Sequence, residues 1–423
     1  MPQYCGFAQS ILTDLRDHLH SPAFAQLARS PDHPKAFTRS RKLPLPTLLG
    51  ALLSFRGGSV QSELDAFFAC LGTPAGDLVS DRALAKARSK LHVPALWALN
   101  ERLITAVQSQ DGLHLFKGRR LVCADGTVLS PAQRACLRTR SLAAPVQRAL
   151  GLYLPGNELM LHVGLGLQAE GERQMLVDQL HRLRAGDVLI LDRGFPASWL
   201  VQALAQRGID WIIRCDSASS WGAARSFLRS GQTQAWSWLS PSDAQQTCAW
   251  ELQGPACMRT RLVRHVSSTG CIRVLATSLS EHLASVAELA DLYHGRWRIE
   301  EAFKRLKHRL GLESVSGLSQ HALLVDVAVK VLADNLTALL ARAVPMPAPA
   351  PGGPRRQVNR AAAAKLFSRS IGPMLLAHGV AQGIHDWVLT LSRCWTRFLP
   401  GRSRPRNPAH SKPHPSQSYK RAA

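Results

Sequence analysis

Two short apolar runs, each closed by an aspartate and a glycine, constrain the fold of this chain more than any other feature. RRLVCADGTVLSP (119–131) is apolar and partly β-branched, which is typical of a strand that ends in a turn. GDVLILDRGF (186–195) contains VLIL, a continuous apolar run that is typical of a strand buried on both faces. The pattern between them predicts a helix over roughly 172–184. Strands joined by helices indicate an α/β domain.

Changes in composition divide the chain into five segments. We predict a helical N-terminal domain over 1–108, the first part of an α/β core over 109–209, a β-rich insertion over 210–280, the second part of the core over 281–343, and a Pro-rich linker, a helical patch and a basic disordered tail over 344–423. Within the core, two strands are predicted around the turn at Pro155, Gly156 and Asn157. From residue 341 onward, fourteen Lys and Arg stand against one acid, Asp386.

The net charge of the chain is +23, with 52 Lys and Arg against 29 Asp and Glu. Such an excess attracts polyanions, so nucleic acid is the first partner to consider. An anionic membrane surface or a ribosomal assembly would fit the charge as well. In the N-terminal domain, SDRALAKARSKL (80–91) predicts a basic helix with Ser80 as its cap. This helix fits a DNA-binding module and also a solvated helix face, and the sequence leaves both interpretations open.

Several classes of protein are disfavoured by the sequence. No apolar run reaches the roughly 18 residues that a membrane span needs, and the N-terminus lacks the apolar stretch of a signal peptide. The nine cysteines form no CxxC pair, which argues against a zinc ribbon. No Walker-type GxxxxGK[ST] motif occurs, so the chemistry should not need ATP. We therefore expect a cytoplasmic protein that makes no membrane contact.

The segment LYHGRWRIEEAFKRLKHRL (292–310) predicts a helix with a distinctive polar face, within a longer helix from about 281 to 310. Tyr293, Arg296, Glu300 and Lys307 follow one another at steps of three, four and seven, so they share one side of the helix. That side lies next to the apolar stripe. A simple amphipathic helix with i,i+4 ion pairs would show much the same pattern.

Three carboxylates stand out as candidate metal ligands: Asp125, Asp192 and Glu300. The two aspartates follow apolar strand runs and are closely followed by glycine, which leaves backbone space for a ligand. Each aspartate alone would also suit the start of a turn. Together the three acids form the hard-oxygen set that Mg²⁺ prefers. Two such ions can activate the attacking oxygen and stabilise the leaving oxygen of a phosphodiester.

These residues carry a resemblance to a known family. Tyr293-x2-Arg296-x3-Glu300-x6-Lys307 resembles the signature of bacterial insertion-sequence transposases in the YREK branch of the DDE group. DGT around Asp125 and DRGF around Asp192 resemble that family's first and second motifs. The N-terminal LPLPTLLGALLSF and QSELDAFF are similar to its leading domain, so the resemblance covers roughly residues 40 to 340.

The resemblance implies a ribonuclease-H-like catalytic core interrupted by the β-rich insert, with a helical N-terminal DNA-binding domain and a basic C-terminal region. It implies that Asp125, Asp192 and Glu300 are catalytic and hold two Mg²⁺ ions, with Mn²⁺ able to substitute. Tyr293, Arg296 and Lys307 would then bind DNA phosphates. The implied activity is cut-and-paste transposition at double-stranded inverted repeats, by a dimer assembled on the DNA ends, through a hairpin in some members. A base flipped out of such a hairpin stacks on an aromatic side chain in this family, and the sequence does not single out one of the tryptophans in 210–280.

Other interpretations remain open from the sequence. An inactive transposase remnant or a non-enzymatic DNA-binding protein would keep the basic character, although all three acids are intact. A structure-specific metal-dependent nuclease would share the acids without needing the YREK helix. A tyrosine recombinase would use one of four tyrosines as its nucleophile, of which Tyr293 already has a role as a phosphate contact.

Overall fold

The computed structural model describes residues 3–39, 42–110, 112–130, 146–215, 221–239, 257–266, 270, 272–317, 319–346, 356–377 and 379–397. The chain divides into two compact units. A helical unit comprises Met1–Gly112, Ser130–Val146 and Lys304–Ala423. A sheet unit comprises Leu113–Leu129 and Gln147–Phe303.

The helices and strands of the described residues are numbered in chain order. The helices are α1 (Gln3–Leu19), α2 (Pro22–Leu27), α3 (Leu45–Ser54), α4 (Val60–Cys70), α5 (Asp81–Arg88), α6 (Val93–Ser109), α7 (Glu172–Gln179), α8 (Ser198–Gln206), α9 (Gly222–Ser230), α10 (Val286–His294), α11 (Trp297–Lys304), α12 (Gln320–Arg342), α13 (Arg360–Leu376) and α14 (Val380–Leu391). The strands are β1 (Leu115–Phe116), β2 (Arg119–Leu129), β3 (Gln147–Leu154), β4 (Leu159–Leu167), β5 (Val188–Leu191), β6 (Asp210–Cys215), β7 (Gln234–Leu239), β8 (Met258–Val266), β9 (Ile272–Thr277), β10 (Arg356–Val358) and β11 (Trp395–Arg397).

The sheet unit is built on one nine-stranded sheet in the order β4-β3-β2-β5-β6-β9-β8-β7, with β1 paired to β2. β2, β3 and β4 are antiparallel neighbours, whereas β2, β5 and β6 run parallel. All four residues of β5 are fully buried, as the continuous run VLIL predicts. The mixed α/β fold expected from the sequence is therefore confirmed, with β5 near the middle of the sheet.

The strands predicted around the two aspartates are confirmed, and so is the pair around Pro155. The segment 210–280 contains strands as predicted, but they continue the central sheet. β6 pairs in parallel with β5, and β9, β8 and β7 extend the sheet from β6. Composition could not show that these strands join the central sheet, because strands are added to a sheet edge through backbone hydrogen bonds, which do not depend on residue type. The proposed segment boundaries stay a prediction.

The helical unit draws its helices from both ends of the chain. α12 is buried along almost its whole length, including the charged residues Asp326, Lys330 and Asp334, so it has neighbours on every side. α6 packs against α12, where buried Asn335 donates to Asn100 over 2.7 Å, and α3 packs against α13. The segments predicted as 1–108 and 344–423 thus contribute helices to one unit. Among the described helices, none is long and apolar enough to cross a membrane.

The single helix expected over about 281–310 is wrong in its continuity. α10 ends at His294 and α11 begins at Trp297, so Gly295 and Arg296 lie between two helices. Residues Arg305–Arg309 then form a π-helical turn. Ser285 caps α10 in a reciprocal arrangement with Glu288, which explains why the helix begins later than predicted.

Candidate active site

Asp125 and Asp192 are placed next to each other by the register of two parallel strands. Cys123 of β2 is paired with Ile190 of β5. Each aspartate lies two residues beyond its member of this pair, so both carboxylates occur at the same level of the sheet. Side chains two residues apart also point to the same face of a strand. The sequence motifs DGT and DRGF are therefore adjacent because their strands are neighbours.

Glu300 is brought to this region by α11, whose buried face includes Ile299 and Phe303. Phe303 packs over Gly151, which is the partner of Asp125 on β3. A Cβ atom at Gly151 would lie 2.9 Å from Cζ of Phe303, closer than real Cβ contacts allow. The absence of a side chain at Gly151 thus lets α11 approach the strand that carries Asp125.

All three predicted acids contact one guanidinium group, that of Arg296. Nη1 of Arg296 donates to Oδ2 of Asp125 at 2.7 Å, and Nη2 donates to Oε1 of Glu300 at 2.9 Å. Nη2 also lies 3.9 Å from Oδ2 of Asp192. The Arg296 side chain is 5% exposed, against 17% for Asp125, 29% for Asp192 and 20% for Glu300. A buried cation therefore holds the three carboxylates around itself.

Tyr293 and Arg214 complete the surroundings of Asp192. The Tyr293 hydroxyl donates to Oδ1 of Asp192 at 3.0 Å, and Nη1 of Arg214 lies 3.9 Å from the same oxygen. The guanidinium carbon of Arg296 lies 5.9 Å from the centre of the Tyr293 ring, in cation–π range. Tyr293, Arg214 and Arg296 thus surround Asp192 and form one polar cluster with it.

The carboxyl groups of Asp125 and Asp192 have different electrostatic surroundings. Burial raises the pKa of Asp125 to about 6, against the opposing charge of Arg296. Burial also acts to raise the pKa of Asp192, but the Arg193 backbone N–H and the charge of Arg296 outweigh it, so the net direction is downward. The pKa of the Arg296 guanidinium is raised despite its burial, because Asp125 and other nearby acids stabilise its charge. The cluster thus keeps Arg296 charged.

Lys307, the last member of the predicted motif, belongs to the helical unit. Its Nζ lies 3.7 Å from a carboxylate oxygen of Glu313, and its side chain is 18% exposed. It sits in the π-helical turn, where the spacing along the helix departs from 3.6 residues per turn. Lys307 and Glu300 were expected on one helix face because regular α-helical geometry was assumed. The α-helix ends at Lys304, before Lys307.

Sequence reasoning missed Arg214, which lies close to Asp192. The structure provides the missing signal: Ile213 of β6 pairs with Leu191 of β5, so Arg214 is the neighbour of Asp192. A lone cation in the apolar run WIIRC was the only clue in the sequence. Among the tryptophans of 210–280, Trp236 and Trp238 are exposed at 40% and 62%, whereas Trp211 and Trp221 are buried. Trp250 lies outside the described residues.

The family model for the transposase DDE domain matches residues 117–336. The match spans more than half of the chain and includes Asp125, Asp192 and Glu300. The chain belongs to the DDE transposase family. The coarse expectation from the sequence motifs is therefore confirmed at the level of the family.

Among curated proteins, no match to this DDE transposase was found. Among solved structures, it is similar to a piggyBac transposase in a synaptic complex with hairpin DNA, determined by cryo-electron microscopy. The two share 12% sequence identity, with 93% of this chain and 87% of that chain covered and a TM-score of 0.45. A TM-score this low does not establish a shared fold.

DDE transposases generally use divalent metal ions. The donor set of this chain fits such ions, because three carboxylates supply hard oxygen ligands and are already collected around one positive charge. In the part of the chain that the structure describes, no three Asp, Glu, His or Cys side chains are grouped directly with one another as a metal site. The three acids are instead joined through Arg296.

Proposed function

We propose that this protein is an active DNA transposase, which cleaves DNA at the inverted repeats of a transposon and joins the freed ends to target DNA. The observation that carries the proposal is the meeting of Asp125, Asp192 and Glu300 at the guanidinium of Arg296, within 2.7 to 3.9 Å. Asp125 lies in β2, Asp192 directly follows β5 and Glu300 lies in α11, all within the region that matches the family model. One carboxylate is enough to balance the charge of Arg296 in a structural ion pair. Three carboxylates at the same guanidinium supply the oxygen ligands that a divalent cation site requires.

In the proposed mechanism, Asp125, Asp192 and Glu300 would hold two Mg²⁺ ions, for which Mn²⁺ would be able to substitute. When bound, the ions would lower the pKa of an attacking water or 3′-hydroxyl and stabilise the leaving oxygen. Tyr293 orients Asp192 through its hydroxyl, and Arg296 holds Asp125 and Glu300 in fixed directions. Carboxylates held by neighbours in this way lose little conformational freedom when they bind a ligand.

The partner in this proposal is double-stranded DNA, as transposon ends and as target. The net charge of +23 supports it, because each phosphate that is neutralised releases counterions. Tyr293, Arg296 and Lys307 are the proposed phosphate contacts. We also propose that two copies assemble on paired ends, and that the chain acts in the bacterial cytoplasm as an insertion-sequence transposase of the YREK branch.

The strand order supports a ribonuclease-H-like core for this enzyme. β2, β3 and β4 form an antiparallel meander, and β5 and β6 add in parallel on the other side of β2. In this arrangement the first strand of the meander lies at the centre and carries the first acid. The proposed catalytic core then consists of these five strands and α11.

The test is cleavage of duplex DNA that bears the candidate inverted repeats, in Mg²⁺ or Mn²⁺, by the wild type, Glu300→Gln and Glu301→Gln. Glu301 is the adjacent acid on the same helix and is exposed, so it serves as a matched control. We expect metal-dependent nicks with 3′-hydroxyl ends at the repeat boundary from the wild type and from Glu301→Gln. Glu300→Gln should bind the DNA and leave it uncut.

Three results would contradict the proposal. Equal cleavage by Glu300→Gln would remove Glu300 from the mechanism. No cleavage by the folded wild type on verified ends would indicate an inactive remnant or a DNA-binding protein. Cleavage that is independent of the repeat sequence and never followed by joining would indicate a metal-dependent nuclease.

A further inference from the structure

A cavity of about 480 Å³ lies in the helical unit, between residues 35–39 and 42–44 on one side and α5 on the other. Its wall includes five basic side chains: Lys35, Arg39, Lys42, Lys86 and Lys90. No acidic side chain lines it among the residues that the structure describes. The cavity lies outside residues 117–336, which the family model matches. Its charge therefore selects for an anion, independently of the three acids.

Most of these cations are not used within the fold. Lys42 donates to the Gly76 carbonyl at 2.6 Å and lies 3.3 Å from an oxygen of Asp77. The charged ends of the other four form no hydrogen bond or ion pair within the described parts of the chain. Four cations gathered at one opening repel one another, and an anionic ligand would relieve that repulsion.

Apart from Thr38 and Ser80, the rest of the lining is apolar, which distinguishes this cavity from a charged surface. Leu43, Leu78 and Val79 line it, together with the aromatic side chain of Phe37. Phe37 has a φ of 57°, in the left-handed region that a bulky residue rarely adopts. Backbone strain of this kind is concentrated at ligand sites, where the surrounding structure maintains it. A ligand that fits must therefore combine negative charge with a flat or apolar part.

α5 presents two different faces. Leu84 and Arg88 are buried in the unit, whereas Ala83, Lys86 and Ala87 line the cavity. Ser80 begins the helix by accepting a hydrogen bond from the Ala83 backbone N–H at 3.3 Å. The Lys90 carbonyl accepts from the Ser30 N–H at 2.9 Å, which ties the end of this segment to the body of the unit. The segment that forms this wall of the cavity, from Ser80 to Lys90, is thus held by a hydrogen bond at each end.

We propose that this cavity binds a nucleotide of single-stranded DNA, with the base and sugar against the apolar lining and the flanking phosphates on the lysines. The volume is within the range of ligand pockets, roughly 300 to 1,000 Å³. The phosphates of an intact duplex would contact the basic rim but leave the apolar interior unfilled, whereas an unpaired base fills it and stacks on an aromatic ring. The inference rests on the proposed function for its choice of DNA as the polyanion.

The experiment measures binding of a labelled oligothymidine, and of a labelled duplex of the same length, to the full chain by fluorescence anisotropy over a range of salt. Lys86→Ala removes one cation from the cavity. Arg82→Ala removes one from the same helix outside the cavity, where Arg82 is exposed, and is the matched control. Ala83→Trp fills the cavity and leaves every charge in place. Circular dichroism and thermal unfolding verify that each variant is folded.

We expect Lys86→Ala to weaken single-strand binding about two- to fivefold, the range for one exposed charge contact, and to reduce the salt slope by about 0.7. Arg82→Ala should bind as the wild type does. Ala83→Trp should weaken single-strand binding and spare duplex binding. Equal losses from Lys86→Ala and Arg82→Ala, or full single-strand binding by Ala83→Trp, would overturn the inference.

Cleavage of transposon ends, measured on the same samples, separates this inference from the proposed function. A wild type that cuts the ends while all three variants bind oligothymidine equally well would disprove only the cavity. A wild type that binds oligothymidine through the cavity but cuts no end would disprove only the transposase activity.

Discussion

Arg296 donates to Asp125 of β2 at 2.7 Å, although 171 positions separate the two residues in the chain. The same guanidinium contacts Glu300 four residues further along, so one side chain joins the first and last acids of the site. Arg296 also lies between α10 and α11, where the chain is not helical. The interruption of the helix and the grouping of the acids therefore occur at the same residue.

Replacing Arg296 should destabilise the protein. In Arg296→Gln, three carboxylates lose their common cation and repel one another, and we expect a loss of about 3 kcal/mol in the free energy of unfolding. Arg296→Lys should recover only part, because an ammonium cannot reproduce the two-pronged contact. Urea unfolding in EDTA measures both. Arg229→Gln, which replaces an exposed arginine of α9 in the same unit, is the control, and an equal loss there would contradict the expectation.

Tyr293 should act as a hydrogen-bond donor. Burial raises its pKa to about 12, so the hydroxyl keeps its proton at neutral pH and donates to Asp192. Tyr293→Phe should cost about 1 kcal/mol of stability and slow cleavage without abolishing it. Denaturing gels of the reaction should show no protein covalently attached to DNA. A tyrosine-linked adduct in the wild type, absent from Tyr293→Phe, would instead indicate a tyrosine recombinase.

Gly151 should tolerate no larger side chain. A Cβ atom there would lie 2.9 Å from Phe303 and 3.1 Å from Sδ of Met160, so Gly151→Val forces α11 away from β3. We expect a loss of about 1 to 3 kcal/mol in unfolding free energy, together with slower cleavage. Gly171→Ala has open space at its Cβ and serves as the control. Adding Phe303→Leu to Gly151→Val should restore part of the stability, and no restoration would contradict this packing.

His162 should make the sheet unit sensitive to mild acid. Burial and the charge of Arg182 lower its pKa to about 4, although its hydrogen bond with Gln179 opposes the shift. Between about pH 6.5 and 4 the unfolded chain therefore binds a proton that the folded chain does not. The contribution of His162 to stability is complete above pH 6.5 and falls by about 2 to 3 kcal/mol as the pH falls through this window. The raised pKa of Asp125 acts in the opposite direction here, so the effect of His162 is the difference between the wild type and His162→Gln.

Unfolding measured from pH 7 to 4 checks this expectation. His162→Gln should lose less stability over the window than the wild type does. His282→Gln changes an exposed histidine and should follow the wild type. Identical pH profiles for the wild type and His162→Gln would show that the imidazole takes up its proton without cost in the folded state.

Local signals explain which parts of this fold could be predicted. The strands at Asp125 and Asp192 were predictable, because an apolar run is a property of a few adjacent residues. The expected end of the first strand at Asp125 was wrong, because β2 continues through Asp125 to Leu129 in its pairing with β3. The break before α11 was not, because Arg296 leaves the helix to reach an acid on a distant strand. The π-helical turn at Lys307 was missed for a related reason: the sequence pattern assumes 3.6 residues per turn. Arg214 became visible only when the pairing of β5 with β6 was known.

The distance between Asp125 and Asp192 is set by the pairing of β2 with β5. Neighbouring strands lie about 4.8 Å apart, a value set by the peptide group and shared by all sheets. No side-chain substitution can adjust it. A one-residue slip, however, would turn Asp192 to the opposite face of the sheet and separate it from Asp125 altogether. The distance between the two acids is thus set by the backbone, whereas their presence on one face depends on the number of residues in β5. A single-residue deletion within β5 would therefore separate the acids even if the sheet still formed.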